Sequence, residues 1–226
     1  MVTTYKGNEA IFDRAAYSPA VAARYVGVPY QTLRYWLLGR GEVSSIIEPA
    51  EKAPLALSFA NLLECHVLNA LRTRYRLVLP KVRSALETLK GFAPDRHPLL
   101  SAKFRTDGVS LFAGEGALLN LSQGGQYALR EILLSYLERI DWQAKGGAKF
   151  YPFVATKSLD EPKIISITPT IAFGRSVIDG TGISTAVIAS RFWAREDPGA
   201  LAREYSRTEG EILEAIRWEG EYRRAA

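Results

Sequence analysis

Between Ser18 and Leu38 the apolar positions recur at helical spacing, pause at Gly27-Val28-Pro29, and resume. Ser18-Pro19 is a helix start, with a capping hydroxyl followed by the one residue that loses nothing by lacking an N–H there. Ala22, Ala23 and Val26 make a small-residue face that lets a second helix come close. Gly27 can take a left-handed conformation, and Pro29 restarts the chain in a helix-ready one. In the second helix Leu33, Trp36 and Leu37 are spaced to point inward, which leaves Gln31, Thr32, Arg34, Tyr35 and Leu38 on the other face. Upstream, Ile11 and Phe12 are placed to pack beneath the first helix.

The pattern then shortens and lengthens again. Ile46-Ile47 and Leu55 to Leu57 read as short strands, the wing of a winged helix-turn-helix. Ser58 caps a helix carrying Phe59, Leu62, Leu63, His66, Val67, Ala70 and Leu71 on its apolar stripe. Pro80 opens another, with Val82, Leu86 and Leu89 inward and Gly91 at its end. Phe104 to Phe112 and Leu118 to Leu121 read as strands, with Asp107-Gly108 as a hairpin turn. A long apolar helix comes next, from Tyr127 to Ile140, suited to a core or a dimer seam, and Lys149 to Tyr151 adds a strand. Residues 154–162 read as a linker. Beyond it come a strand at Ile164 to Ile167, a glycine-punctuated arm from Gly174 to Ile183 with a strand at Val177-Ile178, and three helices. These start at Ser184, Pro198 and Glu209, with caps at Asp197 and Thr208, and share a core of Ile183, Val187, Ile188, Leu201, Tyr205, Ile212, Leu213 and Ile216. The expected fold is mainly α with short β elements, an α+β chain. Its regions are 1–90 (helix-turn-helix), 91–153 (mixed, dimerising), 154–162 (linker) and 163–226 (three helices with a β arm).

Composition narrows the chemistry. A 47 % hydrophobic and 23 % charged chain of 226 residues is an ordinary globular one, not a disordered one. Its net charge of +5 mildly favours an anionic partner. A single cysteine, Cys65, excludes an internal disulfide framework, and the first residues carry no basic-then-apolar leader. No apolar run is long enough to cross a membrane. Together these point to the cytoplasm. Two histidines and one cysteine, with no recognisable nucleophile, acid–base or metal-ligand arrangement, point away from an enzyme and away from any cofactor. His66 lies on an apolar stripe and reads as a packed side chain. Gly124-Gly125 ahead of a helix could cradle a phosphate, but no dinucleotide or P-loop pattern surrounds it. Arg72, Arg74, Arg76, Lys81 and Arg83 form the densest basic run, equally able to extend a DNA footprint, meet an acidic partner or sit in solvent. On the second helix of the opening pair, Gln, Thr and Arg suit base edges, and Arg and Tyr suit phosphates.

Two stretches resemble known families. Tyr17-Ser18, Ala22-Ala23-Arg24, Val26-Gly27-Val28 and Thr32-Leu33-Arg34-Tyr35-Trp36 resemble the opening of a MerR-type DNA-binding domain. The resemblance implies DNA contacts from Ser18, Arg24, Tyr30, Gln31, Thr32, Arg34, Tyr35 and Arg40, with Arg34 and Tyr35 on the backbone. The usual Arg- and Tyr-rich wing is absent, and no metal- or drug-sensing tail is present after it. Ile167-Thr-Pro169, Val177-Ile178-Asp-Gly180-Thr181-Gly-Ile183 and the helices through Glu211-Ile-Leu213 and Trp218 resemble an uncharacterised small domain common in bacterial antitoxins. Members carry Pro where Ser176 stands and Arg where Gly182 stands. Together the two halves resemble VapB-type antitoxins. That implies a homodimer within a hetero-oligomer, a PIN-domain ribonuclease toxin as partner, and autorepression at operator DNA. The toxin-blocking arginine would come from Arg217, Arg223 and Arg224 or from the basic run at 72–83. A stand-alone helix-turn-helix regulator sensing a small ligand is the alternative.

Overall fold

The computed structural model describes residues 9–73, 79–92, 96–101, 134–143, 147–154 and 160–225, and divides the chain into two units, Met1–Glu138 and Arg139–Ala226. The strands expected at 104–121 and most of the long apolar helix from Tyr127 lie outside the described residues. The fold is α+β, dominated by helices with short strands between them.

The first unit is built around one helix. After α1 (Glu9–Phe12), α2 (Pro19–Val26) and α3 (Tyr30–Leu38) comes a two-residue hairpin of β1 (Glu51–Lys52) and β2 (Leu55–Ala56), then α4 (Phe59–Thr73) and α5 (Leu79–Phe92). Every residue of α4 from Phe59 to Leu71 is buried, so it serves as a post rather than as a wall. Its polar residues are accordingly bonded. Ser58 and Asn61 cap its start reciprocally, Asn61 N–H to Ser58 Oγ and Ser58 N–H to Asn61 Oδ1, both at 3.1 Å. Asn61 also donates to the Glu48 carbonyl at 2.8 Å, and Asn69 to the Val26 carbonyl at 3.1 Å. His66 is packed as its place on the stripe predicts, its Nε2 3.1 Å from the Tyr136 carbonyl. Phe12 meets Phe59 edge-on at 5.2 Å, whereas Ile11 stays at the surface. Cys65 is buried, and burial pushes its thiol well above the ordinary range.

Two expectations here need correction. Ile46 and Ile47 do not enter a strand: both N–H groups go to the Trp36 carbonyl, at 2.8 and 3.1 Å, and both side chains are buried. The hairpin instead uses Glu51–Lys52 against Leu55–Ala56. Gly91 does not end α5, which runs on to Phe92.

The second unit is a four-stranded antiparallel sheet in sequential order: β3 (Ile140–Gln143), β4 (Gly147–Phe150), β5 (Ile165–Ile167) and β6 (Ser176–Ile178). Ile140 pairs with Phe150, Phe150 with Ile167 and Ile167 with Ser176, a single buried rung across all four strands. Ile140 therefore belongs to a strand, and the described helical residues before it end at Leu137. The sheet draws strands from both sides of 154–162. Helices α6 (Thr185–Trp193), α7 (Pro198–Tyr205) and α8 (Glu209–Ala225) complete the unit around Ile188, Leu201, Ile212, Ala215 and Trp218. Val187 and Leu213, expected in this core, are exposed. For Leu213 the phase of α8 explains it: Ile212, Ala215 and Glu219 share the inward face, and Leu213 projects away from them. Glu219 is buried because Thr185 donates to its Oε1 at 2.6 Å, while Ser176 Oγ lies 2.8 Å from the same hydroxyl.

Between β5 and β6 the backbone turns left-handed for three residues, with φ of 48° at Ala172, 57° at Phe173 and 77° at Gly174. For residues other than glycine that conformation costs about 1–2 kcal/mol each. Three backbone bonds hold it: Ile171 N–H to Thr168 O at 3.1 Å, Gly174 N–H to Ile171 O at 3.0 Å, and Arg175 N–H to Ala172 O at 3.1 Å.

Candidate nucleic-acid interface

The opening helix pair is set by local chemistry. Ser18 Oγ accepts the Val21 N–H at 3.3 Å, Pro19 occupies the first helical position, and Gly27 closes α2 with φ 70° and ψ 41°. Leu33, Trp36 and Leu37 are buried, as their spacing predicts, and so α3 must present its remaining face outward. Pro29 supplies no side-chain cap to α3, so no side chain at that position occupies the helix's first N–H groups.

The end of α3 and the turn after it shape an open groove of about 620 Å³ lined by Gln31, Arg34, Tyr35, Leu38, Gly39, Arg40 and Val43. Arg40 and Val43 exchange backbone bonds at 3.0 and 3.1 Å, folding a tight turn against the end of the helix. Only glycine fits at position 39. Its φ is +70°, and a Cβ there would lie 1.9 Å from the Val43 carbonyl oxygen.

Of the eight residues expected to touch DNA, Gln31, Arg34, Tyr35 and Arg40 line this groove. Tyr30 is beside it through the Arg34 guanidinium, 5.9 Å above its ring. Thr32 is half-buried, and neither it nor Arg24, which lies 5.6 Å over the Tyr25 ring, lines the groove. Ser18 spends its hydroxyl on the α2 cap. From the basic run, Arg83 on α5 donates to the Ser44 carbonyl at 3.1 Å and lies 5.5 Å over Tyr35. Sequence spacing does not reveal this contact, which joins residues almost fifty positions apart. Arg74 and Arg76 lie outside the described residues. The groove thus gathers guanidinium, amide and phenol donors over an apolar lip of Leu38 and Val43. Such a set can grip phosphate oxygens and read base edges, and offers no nucleophile or proton relay.

A second polar cluster lies apart from the groove. His97 joins Glu64 (Nδ1 to Oε2, 2.9 Å) and Asp13 (Nε2 to Oδ1, 2.8 Å), and Arg96 reaches Asp13 at 3.4 Å. Burial raises the Glu64 carboxyl. Burial also opposes charge on His97, but the two carboxylates outweigh it and raise the imidazole above its usual value. This is a tie between α1, α4 and the turn at Pro98–Leu100. No group able to hold a metal occurs among the described residues.

The toxin-facing candidates lie on α8. Arg217 is exposed and bonded to Glu214 one turn earlier. Arg223 and Arg224 continue the helix, with side chains outside the described residues. Among the described residues no helix is long and apolar enough to cross a membrane.

Comparison with known proteins covers both units. Residues 165–218 match a family described as a protein of unknown function, DUF433. A Mycobacterium tuberculosis protein named "Putative antitoxin VapB45" is 26 % identical over 234 residues, spanning 92 % of this chain and 95 % of that protein. The fold is shared with the crystal structure of Rv2018 from Mycobacterium tuberculosis, at a TM-score of 0.69 and 24 % identity. That match covers 91 % of this chain and 99 % of that one.

Proposed function

We propose that this chain is the antitoxin of a type II toxin–antitoxin module. It acts by binding, not catalysis: it holds a PIN-domain ribonuclease inactive and represses its own operon. The supporting observation is the similarity to a protein named as an antitoxin, because it extends over 92 % of the chain and so takes in both units. The DNA half of the proposal rests on the groove beside α3. Gln31, Arg34, Tyr35 and Arg40 meet there, Arg83 joins from α5, and the first turn of α3 lacks a side-chain cap. In this reading α3 enters a major groove as in a MerR-like domain. The turn at 40–43 and the hairpin at 51–56 form the wing, and a homodimer matches a two-fold operator.

The toxin half rests on charge. A PIN ribonuclease holds its divalent metal with clustered carboxylates. A guanidinium placed among them makes a bidentate pair that a lysine would not. Arg83 is already engaged with Tyr35 and Ser44. In this reading the last turns of α8, with Arg217, Arg223 and Arg224, supply that group, which leaves the groove free for the operator. Both partners and this chain then meet in the cytoplasm.

The test is co-expression with the ribonuclease encoded by the adjacent reading frame. The chain is expected to co-purify with it, to silence its RNA cleavage, and to retard DNA from immediately upstream of the pair. A preparation that takes up no such ribonuclease and shifts no upstream DNA sinks the proposal. Light scattering at micromolar concentration checks the homodimer.

A further inference from the structure

Arg83 does not line the groove beside α3, yet its guanidinium touches the elements on both sides of it. On one side it lies 5.5 Å over the ring of Tyr35, which is half-buried at the groove's edge. On the other, its Nε donates to the Ser44 carbonyl at 3.1 Å, directly after the turn at 40–43. That turn has backbone bonds of its own. Arg40 and Val43 bond each other, Gly39 N–H goes to the Tyr35 carbonyl at 3.0 Å, and Ile46 and Ile47 reach the Trp36 carbonyl. These bonds run back to α3 or stay within the turn. The Arg83 contact comes from α5, so it sets Tyr35 and the turn against a third element. A planar guanidinium suits this double duty, stacking on an aromatic face while its edge donates, which a lysine ammonium does not reproduce. Its Nη2 is closed to solvent, so that arm of the fork is not open to a ligand.

We propose that Arg83 is a positioning residue for operator DNA. It brackets Tyr35 and the turn bearing Arg40 in the geometry that grips DNA, without gripping a phosphate itself. The inference rests on the autorepressor reading and assigns one member of the basic run its part in it. Ser44 is exposed and Tyr35 only half-buried, so the bracket limits their freedom before DNA arrives. Ordering them in advance removes that cost from binding. A surface cation that merely widened the DNA footprint would give the opposite pattern, in which charge matters and geometry does not.

The experiment measures binding of the full chain to DNA from immediately upstream of the gene pair, across a series of salt concentrations. Arg83→Ala is expected to weaken binding by about tenfold while the salt slope stays at its wild-type value. Arg83→Lys, which keeps the charge, should be almost as weak. Joined to Tyr35→Ala, Arg83→Ala should add less than its loss alone, because part of its effect runs through that ring. Arg83→Met keeps the aliphatic stem and takes its place in the comparison should Arg83→Ala fail to fold. A slope lower by about one unit, with affinity restored in Arg83→Lys, makes Arg83 a phosphate contact and overturns the assignment. Wild-type affinity in Arg83→Ala or Arg83→Met overturns it too, as do losses that simply multiply in the double variant. In those cases a wild-type chain that retards the upstream DNA leaves the autorepressor reading standing. A wild-type chain that shifts no upstream DNA overturns both.

Discussion

The helix pairs α2–α3 and α7–α8 begin alike and end differently. Each opens with a capping side chain and a proline, Ser18-Pro19 and Asp197-Pro198, and each first helix is eight residues long. Each closes on a left-handed residue, Gly27 or Ser206, whose N–H returns to the same two carbonyl positions. The second helices then diverge. Pro29 gives α3 no side-chain cap, and its outward face carries Gln31, Arg34 and Tyr35. Thr208 and Glu211 cap α8 reciprocally, with Glu211 accepting the Thr208 N–H at 2.8 Å. That bond outweighs burial and holds the Glu211 carboxyl below its usual range. Glu209 stands beside it in the first turn. An anion approaching α3 meets a helix end without a side-chain cap and guanidinium groups; one approaching α8 meets a filled cap and two carboxylates. One scaffold therefore serves two surfaces, and the residues after the turn decide which.

The comparison breaks most readily at the cores. Trp36 is almost wholly buried under α3, and Trp36→Ala should cost about 3–5 kcal/mol. Leu213→Ala on the outer face of α8 should change stability by less than about 0.5 kcal/mol. Denaturant midpoints would show both, and equal losses would mean the helix phase assigned to α8 is wrong. The turns come next. Gly27→Ala places a side chain at φ 70° and should lose about 1–2 kcal/mol. At Ser206 that cost is already present, and Ser206→Gly should move the thermal midpoint by less than about 1 kcal/mol equivalent, since relief is offset by a freer unfolded chain.

A pH-dependent difference is smaller. His97 is raised in the folded chain by Glu64 and Asp13, so its contribution is complete below the unfolded value near ~6.5. It is lost as pH climbs through the higher folded value. Urea midpoints should therefore fall with rising pH from about 6.5 upward, and His97→Gln should flatten that slope. An unchanged slope in the variant would assign the dependence elsewhere. Least disturbing to the fold is Arg34→Ala, at an exposed site on the groove. It should leave stability alone yet weaken binding to all DNA sequences and reduce the salt dependence by about one unit of slope. Arg217→Ala should leave that slope where it was.

What the sequence made legible was the chemistry that acts within a few residues. Ser18-Pro19, Gly27, Ser58, Asp197-Pro198 and Thr208 announce helix ends because cap and turn geometry depend on neighbours. The inward positions of α3 come from spacing alone. Ile46-Ile47 misled because β-branched pairs favour strands, while a single distant acceptor, the Trp36 carbonyl, claimed both N–H groups. Ile140 misled for a similar reason: it continues a helical stripe, but its pairing with Phe150 lies beyond the reach of periodicity. At the candidate site, Gln31, Arg34 and Tyr35 could be placed on one face from spacing. Arg83 could not be placed against Tyr35, nor Val43 against Leu38, because both depend on how α5 and the turn at 40–43 fold back.

Gly39 carries a consequence for genetics. Any side chain there collides with the Val43 carbonyl and displaces the turn that bears Arg40, although the glycine itself donates nothing to a ligand. If the chain represses its own operon as proposed, a selection for lost repression should recover substitutions at Gly39 alongside those at Arg34. Under the same proposal, cells carrying the Gly39 alleles should survive, because the α8 arginines assigned to the toxin lie in the second unit. Mutational maps of such a repressor would mark a residue that no contact map of the bound operator contains.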